Sequence, residues 1–472
     1  MSNNVKRLQE PSLKTLRIGK VFSDYEEDSY DLRGIFVSLN IYSSLDEIIT
    51  TGDVTIQEQG NLISEMPIVG EEYIEIEFCS LDDEYEPFHR VFFVYAVDSI
   101  DEATDTRSYI LRFTDAIGLI NNDTRLAIRY KDKFENIIDK IEHTININSE
   151  NQCYREIQKK YVLQDDPFQF KIDDDLSVQT NYEMNFVSPM WKPLQLIPYL
   201  ARRAVSADSD SLNSNRFCDC HFFQNRKGEF IFTNYKAMFD NQLEDIHKEG
   251  VVLEKRIGNS ASNSLNGAIL PHEEPRYAII NYSFPKIFNV QMQKARGLFG
   301  FTDNVVDFLN VKCEPVPVSN VEIADILSQY KLDTGTEFPY SALTYTENSL
   351  LTFNECGIDT SPSEMQYEKF TLPYQKSLPV RQTIEYAKMT FELNGCSDLD
   401  IGRYVYVDLG MAENPAVSAY VKDIKWVVSK ISHVFTRDGY KTFVECFTPY
   451  LNREIDKKNQ ESRALLDSMM TM

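Results

Sequence analysis

Four short stretches of this chain carry residue types that chemistry uses. Gly258-Asn259-Ser260-Ala261-Ser262 opens like the sharp turn that exposes a nucleophilic serine, but Ser262 stands where that turn needs its last glycine. His272-Glu273-Glu274-Pro275-Arg276 begins like a zinc-protease helix. Arg276 occupies the place of the second histidine, and Pro275 breaks the helix that would bring both ligands to one face. Asp398-Leu399-Asp400 resembles the opening of a calcium loop, yet its twelfth position falls on Leu409, which has no carboxylate to offer. Cys218-Asp219-Cys220-His221 has metal-ligand types, but on a strand Cys218, Cys220 and Phe222 share one face and His221 takes the other. Three ligands then cannot converge on one ion, and small buried thiols are the expected reading, with no catalytic residue, cofactor or metal assigned.

Carboxylates are too numerous to nominate a hydrolytic pair. The chain has 73 acidic against 48 basic residues, a net charge of -25. Phosphate-backbone binding needs clustered Lys and Arg, so a nucleic-acid reader is not expected; an acidic wall would instead repel DNA that passes it. Glu75 and Glu77 stand out because Tyr73-Ile74-Glu75-Ile76-Glu77-Phe78 alternates. Ile74, Ile76 and Phe78 share the core face, and the two glutamates project together from the other. That face is either a solvated strand surface or the lining of an acidic channel.

The elements that would hold these residues are mainly β. The 472 residues are too many for one core, and about two to four domains are expected. Twenty-nine Phe and 26 Tyr against two Trp suit strands and buried interfaces. Eight cysteines, at 79, 153, 218, 220, 313, 356, 396 and 446, show no framework spacing, and residues 1–20 contain no apolar segment. Free thiols and a cytoplasmic site of synthesis are expected. The longest apolar run, residues 91–97, is far too short to span a bilayer as a helix.

We expect a first β-barrel module over residues 1–118, then an α+β middle domain over 119–299. In the latter, Phe134, Ile137, Ile138 and Ile141 form one helical face. A second helix starts near Pro193 with Leu194, Ile197, Ala201 and Ala204 inward, kinked or restarted at Pro198, and a hairpin is closed by Asn225-Arg226-Lys227-Gly228. Residues 300–378 are read as a loop-rich insertion. Strands over 386–393, 403–409, 424–435 and 440–448 belong to a second barrel at 379–450, and residues 451–472 to a helical tail. Residues 91–114 and 426–448 echo each other, ending in Phe113-Thr114 and Phe447-Thr448, which a duplicated module or chance would equally produce.

The run from Gly52-Asp53-Val54 through Met66-Pro67-Ile68-Val69-Gly70 to Ile76 resembles the first barrel of phage baseplate hub proteins. Residues 131–141 are similar to the helix that follows it, and residues 193–204 with 216–232 to the helix and hairpin of the middle domain. Gly402-Arg403-Tyr404-Val405, Lys430-Ile431-Ser432-His433 and Tyr440-Lys441-Thr442-Phe443 resemble the closing barrel, which is shared with late-control tail proteins and type VI secretion spikes. The nearest style is the central hub of T-even-like contractile-tailed bacteriophages.

That resemblance implies a structural virion protein: a homotrimer whose six barrels match a sixfold tail tube, while its body holds a threefold central spike. Implied partners are the spike, tail-tube or tube-initiator proteins, baseplate wedge proteins and DNA passing without specific binding. The implied location is the tail baseplate, assembled in the host cytoplasm. A secretion-system or R-type particle hub is the alternative in the same fold, and a polysaccharide-cleaving tail enzyme the alternative with chemistry.

Overall fold

The alternation at residues 73–78 becomes a strand with its apolar face in a hydrophobic core. A computed structural model describes residues 13–20, 29–60, 62–70, 72–79, 87–102, 106–148, 170–171, 175–207, 217–241, 252–255, 278–286, 291, 301–307, 312–318, 351–355, 372–385, 387–393, 395–409, 421, 424–437 and 439–449. The first module comprises β1 (Leu13–Lys20), β2 (Ser29–Asp31), β3 (Phe36–Ser44), β4 (Thr51–Glu58), β5 (Glu72–Phe78), β6 (Phe88–Glu102) and β7 (Arg107–Thr114). Its core holds Leu16, Ile18, Ile74, Ile76, Phe92, Leu111 and Phe113, all fully buried. Residues 91–97 are covered less evenly than an all-apolar run suggests: Phe92 and Val94 are buried, whereas Tyr95 is exposed at a bulge.

The middle body follows, with β8 (Arg129–Asp132), β9 (Phe170–Lys171), β10 (Met184–Val187), β11 (Cys220–Gln224) and β12 (Phe230–Asn234). The helix Phe134–Asn148 buries Phe134, Ile137, Ile138 and Ile141 against the helix Pro193–Ala201 and the β11–β12 hairpin. Pro193 starts its helix where the missing N–H costs nothing, and the helix runs through Pro198 to Ala201. Leu196 and Leu200 join Ile197 and Ala201 in the core, while Leu194 is only half-buried. Gly228 closes the hairpin at φ 89, a left-handed conformation that glycine adopts without strain.

The remaining strands are β13 (Val252–Lys255), β14 (Ala278–Lys286), β15 (Phe301–Asp307), β16 (Lys312–Val318), β17 (Leu351–Glu355), β18 (Ala387–Leu393), β19 (Tyr404–Asp408), β20 (Lys425–Thr436) and β21 (Gly439–Thr448). Two sequence expectations change here. The stretch 300–378 is not merely loop: β16-β15-β17 form a separate three-stranded sheet, and the helix Leu372–Ile384 begins in it. Pro315 and Pro317 hide β16 from propensity, but β16 is an edge strand, where proline is tolerated. The second barrel is also not confined to 379–450. It closes as β13-β14-β18-β21-β20-β19, with β19 pairing both β13 and β20, so two strands come from residues 252–286. The expected tail at 451–472 lies outside the described residues.

The two modules share one strand order. The first reads β3-β4-β7-β6-β5-β1 and the second β14-β18-β21-β20-β19-β13, with the strands in the same chain order. Each carries a one-residue bulge at the same place, between Val94 and Ala96 opposite Phe113 and Arg112, and between Val428 and Lys430 opposite Cys446 and Glu445. The bulges therefore match Phe113 with Cys446, so the Phe-Thr echo is out of step by one residue. One pairing differs in sense: β1–β5 is antiparallel and β13–β19 parallel.

The modules are also one sheet. Before Ser429, β20 pairs with β19 through Val427, Trp426 and Lys425; after it, residues from Lys430 to Thr436 pair antiparallel with β3, Lys430 facing Ser44 and Thr436 facing Ser38. A bulge bends its strand and sharpens the twist, which lets β20 leave one barrel and enter the other. Ser429 fixes the bend: its hydroxyl donates to the Glu445 carbonyl at 3.0 Å, and its carbonyl accepts the Leu45 N–H at 2.9 Å.

Candidate assembly surface

The β20–β3 seam lies inside a 13-stranded sheet whose core faces are filled by two apolar clusters. Its other face carries a groove of about 580 Å³ across the seam, lined by Tyr42, Asp53, Tyr95, Arg112, Lys430 and Ser432. A second hollow of about 410 Å³ continues over β14, β18 and β21, with Asn281, Thr390 and Phe443 in its wall. The face is polar because alternation sends every second residue of each strand away from the core.

Its cations are paired locally. Arg112 Nε lies 2.5 Å from Asp98, Lys441 Nζ 2.5 Å from Glu392, and Lys388 Nζ 3.1 Å from Glu445, which Lys430 also approaches at 3.8 Å. Asn40 donates to Asp53 at 2.8 Å and Asn281 to Glu392 at 3.0 Å. Partial burial, with Asp53 beside it, pushes the Tyr42 phenol up to about 12. Four cations share three carboxylates, and Asp46, Glu47 and Asp53 in the groove add to the acidic side, which leaves little fixed positive charge to capture a polyanion.

Glu75 and Glu77 do share the face opposite Ile74, Ile76 and Phe78, but they are not free solvated charges. Glu75 is only 7% exposed, and its Oε1 lies 2.9 Å from His89 Nε2 across the β5–β6 pair. That hydrogen bond holds the His89 imidazole above its ordinary range, against the opposing effect of burial. Glu77 accepts a hydrogen bond from Thr15 Oγ1 at 3.2 Å. Sequence reading missed His89 because the contact depends on strand register; the alternation that marks β5 says nothing about its neighbour.

The tip of the β20–β21 hairpin completes the core of the other module. Phe435 and Tyr440 stack at 4.1 Å and both pack edge-on to Phe78, at 4.9 and 5.4 Å. His433 lies beside them, 5% exposed, with Nδ1 2.8 Å from the Tyr440 hydroxyl. Burial lowers its imidazole from 6.5 to about 3. A depressed histidine stabilises the fold fully above the unfolded value, and the contribution is lost as pH falls from 6.5 toward 3. Going from pH 7 to pH 5 should cost about 2 kcal/mol through this residue. His221, also lowered by burial, adds loss of the same sign, whereas raised His89 loses its contribution as pH rises. Thermal melts from pH 7 to pH 5 should therefore fall less steeply in His433→Gln than in the parent chain; equal slopes would show that this imidazole is not held neutral.

The four stretches that opened the sequence reading divide. Those at 258–262 and 272–276 lie outside the described residues. Asp400 is structural: it accepts the Arg226 N–H at 3.1 Å and the Ile401 N–H at 2.9 Å, tying a loop of the second barrel to the hairpin turn of the body. Cys220 and Phe222 face one apolar cluster while His221 stacks edge-on to Tyr235 on the opposite side, 4.7 Å between centroids. Burial raises the Cys218 and Cys220 thiols. Among the described residues, no group of His, Cys, Asp and Glu could hold a metal ion, and Cys79, Cys218, Cys220, Cys396 and Cys446 are buried thiols in no disulfide.

This mainly-β, two-barrel fold is similar to that of a solved phage tail protein. The chain is similar to the 43 kDa tail protein of prophage MuSo2 from Shewanella oneidensis, at 10% identity over 92% of this chain and 99% of that one, with a TM-score of 0.52. It is also similar to a tail protein of Neisseria meningitidis (10% identity, 92% and 96% covered, TM-score 0.48). A third likeness is to an E. coli component of the type VI secretion system (10% identity, 88% and 73% covered, TM-score 0.41). These are tail and secretion-apparatus proteins. No family profile matches the chain, and no curated protein matches it significantly.

Proposed function

We propose that the chain is a non-catalytic structural subunit of a phage tail baseplate: a hub that trimerises into a ring, adapts the sixfold tube to the threefold spike, and surrounds the DNA channel. The observation that carries this is the pair of barrels with one strand order, fused through β20 and β3 into a single sheet. Three such chains present six equivalent barrels, which is what a sixfold tube above and a threefold spike below require. The face across the seam is the proposed channel wall, since its cations are held by carboxylates and leave no fixed positive charge to trap DNA. Glu75 and Glu77 belong to that wall as hydrogen-bonded positions on β5, at its far side. Spike, tube or tube-initiator and wedge proteins are the proposed partners, and the virion baseplate, assembled in the host cytoplasm, the proposed location.

Mass photometry of the purified chain, alone and with its spike, is the test. The expected species has three times the 54.7 kDa chain mass. Monomer at every concentration, with and without the spike, would contradict the reading.

A further inference from the structure

The strand edges of the two modules are used differently. β20 has β21 on one side and, on the other, β19 followed by β3. Its counterpart β6 has β7 on one side, but on the other β5 reaches only to Phe93. Among the described residues no strand pairs with that second edge from residue 94 onward, although β6 continues to Glu102. Tyr95 and Ile100 are 49% and 55% exposed there. A long open strand edge of this kind, with Tyr95 and Ile100 exposed on it, is a ready template for another chain. In the second module, the counterpart of β3 is β14. It pairs with β18 as β3 pairs with β4, and on its β13 side the ladder stops at Ile279.

We infer that β14 of one copy pairs antiparallel with the outer edge of β6 in the next copy, repeating between chains the contact that β3 and β20 make within one. The inference rests on the trimeric reading and assigns its interface. The occupant is set by the chain itself, because the first module already shows which strand fills this edge. The contact is heterologous, joining a second module to a first, so it propagates around a ring and closes when inter-chain and intra-chain steps turn through the same angle.

The register follows from the shared bulge. Lys430 faces Glu445 just beyond its bulge as Ala96 faces Arg112, so Asp98 stands where Ser432 stands. Tyr282 pairs with Phe391 and Phe391 with Val444, as Leu39 pairs with Val54 and Val54 with Leu111. β14 has a one-residue bulge between Ser283 and Lys286, opposite Thr390 and Lys388, so Lys388 stands for Thr51 and Lys286 takes the place of Tyr42, the partner of Ser432. Asp98 of one copy should then face Lys286 of the next. Past Asp98, β6 has a second irregularity, with Ser99 at φ 54, that β20 lacks, so the register is committed at Asp98 alone.

The full chain carrying Asp98→Cys and Lys286→Cys tests this by mild oxidation and non-reducing electrophoresis, with Tyr42→Cys plus Ser432→Cys as the intra-chain yardstick. Expected are cross-linked dimers and trimers ending at the trimer, absent from either single-cysteine variant, while the yardstick pair closes within one chain. Ile100→Pro, at a bulge position with no strand partner among the described residues, should weaken trimer association at least tenfold and leave the melting temperature of the dissociated chain unchanged. Trimers by mass photometry without the specific cross-link would overturn the strand assignment and leave the trimer standing. A ladder continuing beyond trimer would support the edge pairing and contradict the closed ring. Monomers alone would end both.

Discussion

Phe78→Ala is expected to destabilise the whole sheet, by about 3–5 kcal/mol, although the residue belongs to the first module alone. Phe78 is fully buried, stacks on Phe88 at 4.5 Å, and receives Phe435, Tyr440 and His433 from the hairpin of the second barrel. Truncation opens a cavity under the seam and strips those rings of a shared partner, so both barrels should lose stability together. Trp426 reports the second barrel, since it is fully buried there, and Trp191→Phe leaves it the sole indole. In denaturant, Trp426 fluorescence and far-UV dichroism should shift to one lower midpoint in Phe78→Ala. An unmoved Trp426 transition would mean that the barrels fold independently and the seam couples nothing.

Arg90→Met should cost a comparable 3–5 kcal/mol, for an electrostatic reason. Arg90 is buried, bonds to Asp115, and donates to Thr50 Oγ1 at 2.8 Å while lying over the Phe92 ring. Asp115 also caps the helix Ala116–Asp123 through the Ile117 N–H and accepts from Gln224 Nε2 at 3.2 Å; Gln224 Oε1 in turn accepts the Thr50 N–H at 3.0 Å. This network pins the first module to the body hairpin. Removing the guanidinium leaves a nearly buried carboxylate without its counter-charge. Asp115→Asn in the same chain keeps the cap and removes the stranded charge, so the double variant should recover more than about 1.5 kcal/mol of the loss. Additive losses would show that the pair is not coupled.

How far the sequence foretold this molecule depended on the range of each interaction. The strand at 73–78, the helix from Phe134, the Asn225–Gly228 turn and four closing strands follow from local periodicity and turn chemistry, and all of them formed. Partner choice is not local. Nothing in residues 252–255 or 278–286 says that they complete a barrel with strands more than a hundred residues onward. The same applies to Glu75, where alternation gave the face and only the β5–β6 register supplies His89. Pro315 and Pro317 concealed β16, because proline weighs against a strand until one knows that the strand is an edge. The duplicated hairpins were visible as an echo, but the bulges, a backbone feature with no residue signature, corrected its alignment.

Electron microscopy of the assembled ring tests the central reading most directly. The account predicts six barrels from three chains around an open centre, with the face bearing Tyr42, Asp53 and Lys430 turned toward the hole. A particle without a ring, or a ring with that face on its outer wall, would contradict it.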